Sequence, residues 1–158
     1  CEIAEFACKY PVHVRFIEMM PIGYGSSFTG MSQEKIVSLL EERFGRLVPY
    51  EGEPLGNGPC KYYTVEGFQG KIGFISAISH KFCSECNRIR LTSQGYLKTC
   101  LQYTAGRDLR EVLRNGGTDE ELKEIIKEAL SEKPDGHHFR EKAKEDDTES
   151  LCMAQIGG

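Results

Sequence analysis

The sequence predicts an α+β fold, in which helices pack on a small antiparallel sheet. Four short runs are rich in β-branched and aromatic residues and are bounded by turn residues, which is the pattern of strands. These runs are 61–67 (KYYTVEG), 71–78 (KIGFISAI), 87–93 (NRIRLTS) and 96–102 (YLKTCLQ). Elsewhere, apolar residues recur at helical spacing. One further strand and the end of a helix precede this sheet and resemble a remnant of a larger structure.

The N-terminal residues 1–11 (CEIAEFACKYP) have the pattern of the end of an amphipathic helix. We expect its apolar face to consist of Ile3, Phe6 and Ala7. Residues 12–20 (VHVRFIEMM) alternate between apolar and polar, which predicts a strand. One face of this strand is expected to carry Val12, Val14 and Phe16, and the other His13 and Arg15.

Capping residues predict three helices. The first has Ser32 as its N-cap and ends at Gly45. The second covers about 107–114. The third begins after Thr118, which is expected to form a capping box with Glu121.

Two connecting segments complete the prediction. Residues 93–95 (SQG) have the composition of a hairpin turn and are expected to join the last two strands. Residues 137–158 are charged and weakly patterned, so we expect a loop or partial disorder there.

The composition excludes several classes of protein. The chain has 158 residues, the size of one domain, and its 20 basic residues are outnumbered by 24 acidic ones, so no nucleic-acid partner is expected. No apolar run approaches the roughly 20 residues that span a bilayer, and the first residues lack a signal-peptide pattern. We therefore expect a cytoplasmic protein with no membrane partner. Seven cysteines without a secretory signal favour metal binding or catalysis over disulfides.

Three of the cysteines form a cluster in the sequence. Cys83, Cys86 and Cys100 have the spacing C-x2-C-x13-C, and the predicted hairpin would return Cys100 to the end of the sheet that holds the other two. Three interpretations remain open on spacing: an iron–sulfur cluster with one open iron, a structural zinc site and a redox dithiol. A zinc site would need a fourth ligand, for which the candidates are His80, Cys60 or Cys152.

Two arginines follow the second cysteine directly. Arg88 and Arg90 are two residues apart on a predicted strand, so their side chains should share one face, with Ile89 on the other. Two guanidinium groups beside a metal site can hold a phosphorylated anion through paired hydrogen bonds. This combination suggests a ligand that contacts both the metal and the arginines.

These residues lie within a longer stretch, 78–101 (ISHKFCSECNRIRLTSQGYLKTCL), that is similar to a signature of the GTP 3′,8-cyclases. This family, also called molybdenum cofactor biosynthesis protein A, consists of radical S-adenosylmethionine enzymes that begin molybdopterin synthesis. Three further stretches resemble the same family: 14–23 (VRFIEMMPIG), 133–139 (KPDGHHF) and 153–158 (MAQIGG). The four motifs are in the family order and extend through essentially the whole chain.

The resemblance implies the C-terminal portion of such an enzyme. Residues 1–30 would be the last strand and loop of an incomplete (β/α) barrel, and 31–158 the C-terminal domain. The chain contains no C-x3-C-x2-C motif, with which the family holds the first [4Fe–4S] cluster that binds S-adenosylmethionine. The fragment alone is therefore expected to be inactive, whereas the full-length enzyme would be a lyase and a homodimer.

The resemblance also implies roles for particular residues. A second [4Fe–4S] cluster would be held by Cys83, Cys86 and Cys100, with its open iron facing the guanine of GTP. Other residues are expected to contact GTP, namely Arg88, Ile89, Arg90 and Arg15. S-adenosylmethionine would be contacted by Met20. The C-terminal tail, Gly157 and Gly158, would extend into the active site. The alternative function is a zinc-stabilised structural or interaction domain.

Overall fold

The computed structural model describes residues 1–139, 149–151 and 153–156 and has the predicted α+β character. The chain divides into two compact units. The first contains residues 1–19 and 29–82, and the second residues 20–28 and 83–158. None of the described helices is long and apolar enough to cross a membrane.

The helices and strands follow one another in mixed order. The α-helices of the described residues are α1 (Glu5–Lys9), α2 (Gln33–Phe44), α3 (Leu109–Arg114) and α4 (Asp119–Ser131). The strands are β1 (Val14–Ile17), β2 (Val48–Pro49), β3 (Lys61–Thr64), β4 (Ile72–Ile75), β5 (Arg90–Leu91), β6 (Tyr96–Lys98) and β7 (Gly106–Asp108). Short 3-10 helices occupy Glu2–Ala4, Gly23–Ser27 and Cys83–Glu85.

The first unit contains a mixed sheet with the strand order β1-β4-β3-β2. β4 pairs antiparallel with β3 but parallel with β1, so that Val14 lies opposite Ile72 and Phe16 opposite Phe74. The single antiparallel sheet that we predicted is therefore wrong, because the predicted strands divide between two sheets. β1 is an integral member of the first sheet, since its apolar face, Val14 and Phe16, packs on the same core as β4.

The N-terminal helical residues contribute two alanines to the core of the first unit. Ala4 and Ala7 are fully buried, whereas Ile3 and Phe6 are 66% and 57% exposed. The prediction of an apolar face containing Ile3 and Phe6 was therefore wrong for those two residues. The remaining buried residues of this core come from α2 and from the sheet and its flanking loops: Leu40, Leu47, Val65, Ile72 and Phe74.

The predicted helix caps are confirmed. The Ser32 hydroxyl accepts a hydrogen bond from the Lys35 N–H, and α2 ends at Gly45, whose φ of 90° favours glycine. Thr118 and Glu121 form the expected capping box at α4. The helix predicted over 107–114 begins only at Leu109, because the preceding residues pair with β6 as strand β7.

The second unit contains an antiparallel sheet with the order β5-β6-β7. The predicted hairpin turn between β5 and β6 is confirmed: Gly95 has a φ of 81°, and its N–H donates to the Thr92 carbonyl at 2.9 Å. In this hairpin Arg90 lies opposite Lys98, and Leu91 opposite Leu97.

A buried ion pair connects β6 to the C-terminal residues. Lys98 is 3% exposed, and its ammonium group donates to the Glu149 carboxylate and to the Tyr103 carbonyl. Glu149 is itself held by its own N–H, which donates to the Gln102 carbonyl at 2.7 Å. The loop or partial disorder predicted for 137–158 lies mainly on residues outside the described ranges, but the described residue Glu149 is docked on the second unit.

The ion pair should make the stability of the second unit dependent on pH. Burial raises the pKa of Glu149, but hydrogen bonds from Lys98 and the Leu151 N–H outweigh burial and leave this pKa below its usual value. The pair should therefore stabilise fully above the usual value of about 4.3 and lose its contribution as the pH falls through the lower folded-state pKa. We expect Glu149→Gln to lower the free energy of unfolding near pH 7 by about 3 kcal/mol, because Lys98 is left buried without its partner.

Urea unfolding of both proteins between pH 7 and pH 2 measures this difference, which should narrow as the pH falls. Glu124→Gln is the matched control, because Glu124 forms an ion pair with Lys127 on the exposed face of α4. Its effect should stay below about 0.5 kcal/mol. Equal losses for the two variants at neutral pH would contradict the role assigned to the buried pair.

Candidate metal and anion site

Cys83 and Cys86 lie on one tight turn of the second unit. Residues Cys83–Glu85 form a 3-10 helix, and the Cys86 N–H donates to the Cys83 carbonyl at 3.1 Å. A CxxC segment closed in this way places its two side chains at neighbouring positions. Both thiols are half-buried and free. The local sequence therefore forms a turn that can offer two sulfur ligands.

Cys100 is brought to this turn by the β5–β6 hairpin. Because Arg90 pairs with Lys98, the chain that leaves β6 towards Cys100 runs beside the chain that enters β5 from Cys86. Proximity to Cys86 and Cys100 acts to raise the pKa of the Arg90 guanidinium, which is consistent with both thiols lying near it. The hairpin thus returns the chain that carries Cys100 towards the segment that carries Cys86, as the sequence predicted, whereas a ligand site made of all three cysteines stays a prediction.

Arg90 is the central cation of this region. Burial and the neighbouring Arg88 lower the pKa of the Arg90 guanidinium, and the nearby Cys86 and Cys100 act in the opposite direction but less strongly. The guanidinium remains charged, since the ordinary pKa of arginine is above about 12. A half-buried cation close to two cysteines is suited to hold an anionic ligand next to a metal that those cysteines would bind.

The strand that carries the arginines is shorter than predicted. β5 contains only Arg90 and Leu91, so Arg88 and Ile89 precede it, and no regular strand enforces a shared face for the two arginines. The physical reason is that the carbonyl groups of Cys86 and Arg88 accept hydrogen bonds from the Lys133 ammonium group instead of from a neighbouring strand. Arg88 is exposed but close enough to Arg90 to repel it, and Ile89 is 46% exposed.

Sequence reasoning missed Lys133. It belongs to 133–139 (KPDGHHF), which entered the prediction only as a motif after the last helix. The sequence feature that could have indicated its role is the position of this lysine between the end of a helix and a proline. Both neighbours restrict its backbone, so its side chain can form hydrogen bonds from a fixed position. The sequence does not show which carbonyl groups such a lysine would meet.

The donor set fits a thiophilic metal. Cysteine thiolates are the usual ligands of iron–sulfur clusters and of structural zinc. Among the described residues, however, no three His, Cys, Asp or Glu side chains converge closely enough to hold a metal ion. The three thiols therefore lie in one region without pointing at one centre. Two residues after Cys100, the buried Gln102 has a side-chain nitrogen with no hydrogen-bond partner within the described part of the chain.

Arg15 and Met20 occupy other surroundings. Arg15 is an exposed residue of β1 in the first unit, where its Nε donates to the Tyr62 hydroxyl at 2.6 Å. Met20 is half-buried, lies three residues after the end of β1 and belongs to the second unit. Gly157 and Gly158 fall outside the described residues.

Two of the candidate fourth ligands have other partners in the first unit. His80 is exposed and has its Nε2 3.9 Å from a Glu34 carboxylate oxygen. Burial raises the pKa of the Cys60 thiol, whereas a hydrogen bond with Tyr62 and the charge of Arg15 lower it less strongly. A Cβ at Gly73 would lie 2.5 Å from the Cys60 sulfur, so this thiol is enclosed by the sheet. The third candidate, Cys152, is outside the described residues.

Comparison with known proteins identifies the family. Residues 12–139 match the family model Molybdenum Cofactor Synthesis C. The chain belongs to this family. The matched range includes the three cysteines, both arginines that follow them and Lys133. The resemblance inferred from the four sequence motifs is therefore confirmed.

Curated relatives agree with this assignment. The chain is 47% identical over 158 residues to a GTP 3′,8-cyclase of Clostridium perfringens (strain 13 / Type A). It is 42% identical to that of Syntrophomonas wolfei and 43% identical to that of Heliobacterium modesticaldum. Each alignment covers 99% of this chain but only 48%, 48% and 49% of the respective relative. The chain thus spans about half the length of the curated relatives that it matches.

Proposed function

We propose that this chain is the cluster-holding and GTP-binding part of a GTP 3′,8-cyclase, which acts in molybdenum cofactor biosynthesis. The observation that carries the proposal is the register of the β5–β6 hairpin, which places the half-buried Arg90 in β5 and brings the chain that carries Cys100 back beside the chain that carries Cys86. A site with thiols and guanidinium groups side by side suits a ligand that joins a metal to phosphate groups. The relatives named GTP 3′,8-cyclase supply the identity of that ligand.

The cysteines would hold a [4Fe–4S] cluster through three sulfur ligands. When bound, the cluster supplies one iron without a protein ligand, at which the guanine of GTP can be anchored. The turn at Cys83–Glu85 presents two ligands, and the β5–β6 hairpin returns Cys100 as the third. The thiols do not converge on one centre in the described structure. We infer that their side chains rotate towards the cluster when it binds, while the backbone that carries them keeps its position.

The arginines would orient the substrate relative to the cluster. Arg88 and Arg90 offer guanidinium donors for the triphosphate, and Ile89 between them offers an apolar contact. Arg15 would add a further phosphate contact, although its present partner is the Tyr62 hydroxyl. Fixing the substrate at both ends sets which ribose hydrogen is exposed to reaction, and such positioning is a large part of catalysis.

The remaining roles concern the whole enzyme, which would convert GTP to (8S)-3′,8-cyclo-7,8-dihydroguanosine 5′-triphosphate by joining ribose C3′ to guanine C8. Met20 would contact S-adenosylmethionine, which a second part of the protein binds at the first [4Fe–4S] cluster. Gly157 and Gly158 would extend into the active site. Residues 1–30 would complete the barrel and 31–158 form the C-terminal domain of a cytoplasmic homodimeric lyase.

Anaerobic reconstitution with iron and sulfide tests cluster binding. The wild-type chain should gain close to four iron atoms and the broad visible absorbance of a [4Fe–4S] cluster. Cys83→Ser, Cys86→Ser and Cys100→Ser should each lose most of this absorbance, because each removes one of three ligands. Cys60→Ser is the matched control and should reconstitute like the wild type. Recovery of one zinc and no iron would support the structural zinc domain instead, and a readily exchanging Cys83–Cys86 disulfide would support the dithiol.

GTP titration of the reconstituted chain tests the arginines. GTP should perturb the cluster spectrum, and Arg90→Lys or Arg88→Lys should weaken this binding by about tenfold or more, since lysine lacks the paired donors of a guanidinium group. Arg114→Lys, which changes an exposed arginine at the end of α3, should leave binding unchanged. Equal affinity in all three variants would contradict the proposed phosphate contacts.

The isolated chain should not cyclise GTP. It lacks the C-x3-C-x2-C motif that the family uses to bind and cleave S-adenosylmethionine. Incubating the reconstituted chain with GTP, S-adenosylmethionine and a reductant, followed by chromatography of the nucleotides, should return GTP alone. Formation of the cyclised product by the 158-residue chain would overturn this expectation.

A further inference from the structure

We propose that Lys133 is a positioning residue for the candidate site. Residues 133–138 (KPDGHH), called here the strap, hold the backbone segments of the three cysteines at fixed positions relative to one another. The inference rests on the proposed function, because it concerns the same cluster and substrate. Lys133 touches neither of them in this proposal. It acts through the backbone that carries Cys86 and Arg88.

Lys133 holds the segment between the second cysteine and the arginines. Its Nζ donates to the Cys86 carbonyl at 2.6 Å and to the Arg88 carbonyl at 3.0 Å. An ammonium group has three donors, so two carbonyl groups on one short segment can be satisfied at once. Hydrogen bonds to charged groups are stronger than neutral ones. The path of residues 86–88 is therefore set by one lysine.

The lysine is itself held by a helix. α4 ends at Ser131, the Lys133 N–H donates to the Leu130 carbonyl at 3.2 Å, and Pro134 follows directly. Proline prevents the helix from continuing, so the chain must leave α4 at this point. The 13-residue helix α4 thus fixes the backbone of Lys133, and the side chain of Lys133 in turn fixes the position of the cysteine turn.

The middle of the strap lies beside the first cysteine. A Cβ at Gly136 would be 3.7 Å from the Cys83 Cβ and 3.9 Å from its sulfur, so the strap backbone passes next to this thiol. The Gly136 carbonyl accepts a hydrogen bond from the Tyr103 hydroxyl at 3.2 Å. Tyr103 follows Cys100 by three residues, which links the middle of the strap to the third cysteine as well.

The end of the strap holds the loop after the third cysteine. The His138 N–H donates to the Gln102 side-chain oxygen at 2.5 Å, and the His138 Nδ1 lies 2.7 Å from the Tyr103 hydroxyl. Gln102 is 1% exposed, so this attachment is to a fixed residue. A strap of six residues therefore contacts the neighbourhoods of Cys83, Cys86 and Cys100.

The strap would restrict the positions of ligands that are far apart in the sequence. The third cysteine is separated from the second by 13 residues and by a hairpin, and a metal centre tolerates errors of only about half an ångström in its ligands. Residues that orient metal ligands typically change metal affinity by about 10- to 100-fold when they are replaced. We expect Lys133 to have an effect of this size.

The test compares Lys133→Met and Lys133→Arg with Lys127→Met, in the 158-residue chain after anaerobic reconstitution. Lys127 is an exposed lysine on α4 that pairs with Glu124, so its replacement removes the same charge six residues before Lys133 in the chain. Lys133→Met should lose iron to a chelator about tenfold faster than the wild type and should weaken the GTP-induced spectral change. Lys133→Arg should restore most of both properties, and Lys127→Met should match the wild type.

Two further measurements test the strap in the absence of a cluster and with a second variant. Amide hydrogen exchange of the metal-free chain should be faster at residues 83–90 in Lys133→Met alone, which tests the strap without any cluster. Tyr103→Phe, which keeps the ring and removes the hydroxyl, should also accelerate iron loss and covers the case in which Lys133→Met does not fold. If the wild type holds its cluster, and Lys133→Met and Tyr103→Phe retain iron as well as the wild type does, the inference is overturned while the proposed function stands. A wild-type chain that takes up no iron overturns the proposed function and the strap's role with it.

Discussion

The candidate site depends on the register of the β5–β6 hairpin. Gly95 permits a turn with a φ of 81°, and Arg90 is thereby paired with Lys98. This one register places Cys100 beside the chain that carries Cys86 and Arg88. A shift by one residue would turn every side chain of the hairpin to the opposite face. The buried Leu97 and the ion-paired Lys98 prevent that shift, because exchanging them with exposed neighbours would leave apolar surface in water and a charge without its partner.

Two lysine side chains also stabilise the loops of the second unit through hydrogen bonds. Lys98 binds Glu149 and the Tyr103 carbonyl from inside the unit, and Lys133 binds the carbonyl groups that precede β5. Both lysines donate hydrogen bonds to backbone carbonyl groups in loops, which matters because a buried carbonyl group without a partner is costly. The loops on either side of the hairpin are therefore held by charged hydrogen bonds rather than by regular secondary structure.

This construction suits the proposed site, at which a metal cluster and an anion would bind together. The cysteines are half-buried and free, so they are accessible to metal while their backbone is fixed by the turn, the hairpin and Lys133. Arg90 is half-buried among them, and its positive charge offsets the negative charge that thiolates would gather there. The chain spans about half the length of its relatives, and the proposal assigns this half the task of placing the substrate.

The sequence by itself determined the helix caps at Ser32 and Thr118, the hairpin turn at Gly95 and the inward positions of Val14 and Phe16 on β1, whereas Val12, predicted on the same face, is exposed. These features follow from local rules of spacing, capping and turn chemistry, which act over a few residues. Only the tertiary structure decided that β1 pairs parallel with β4 and that Ala4 and Ala7 rather than Ile3 and Phe6 are buried. It also decided that Lys133 binds the carbonyl groups of Cys86 and Arg88 and that β5 begins only at Arg90. Each of these depends on residues far apart in the chain, and no local pattern records which distant partner a strand edge or a carbonyl group will meet.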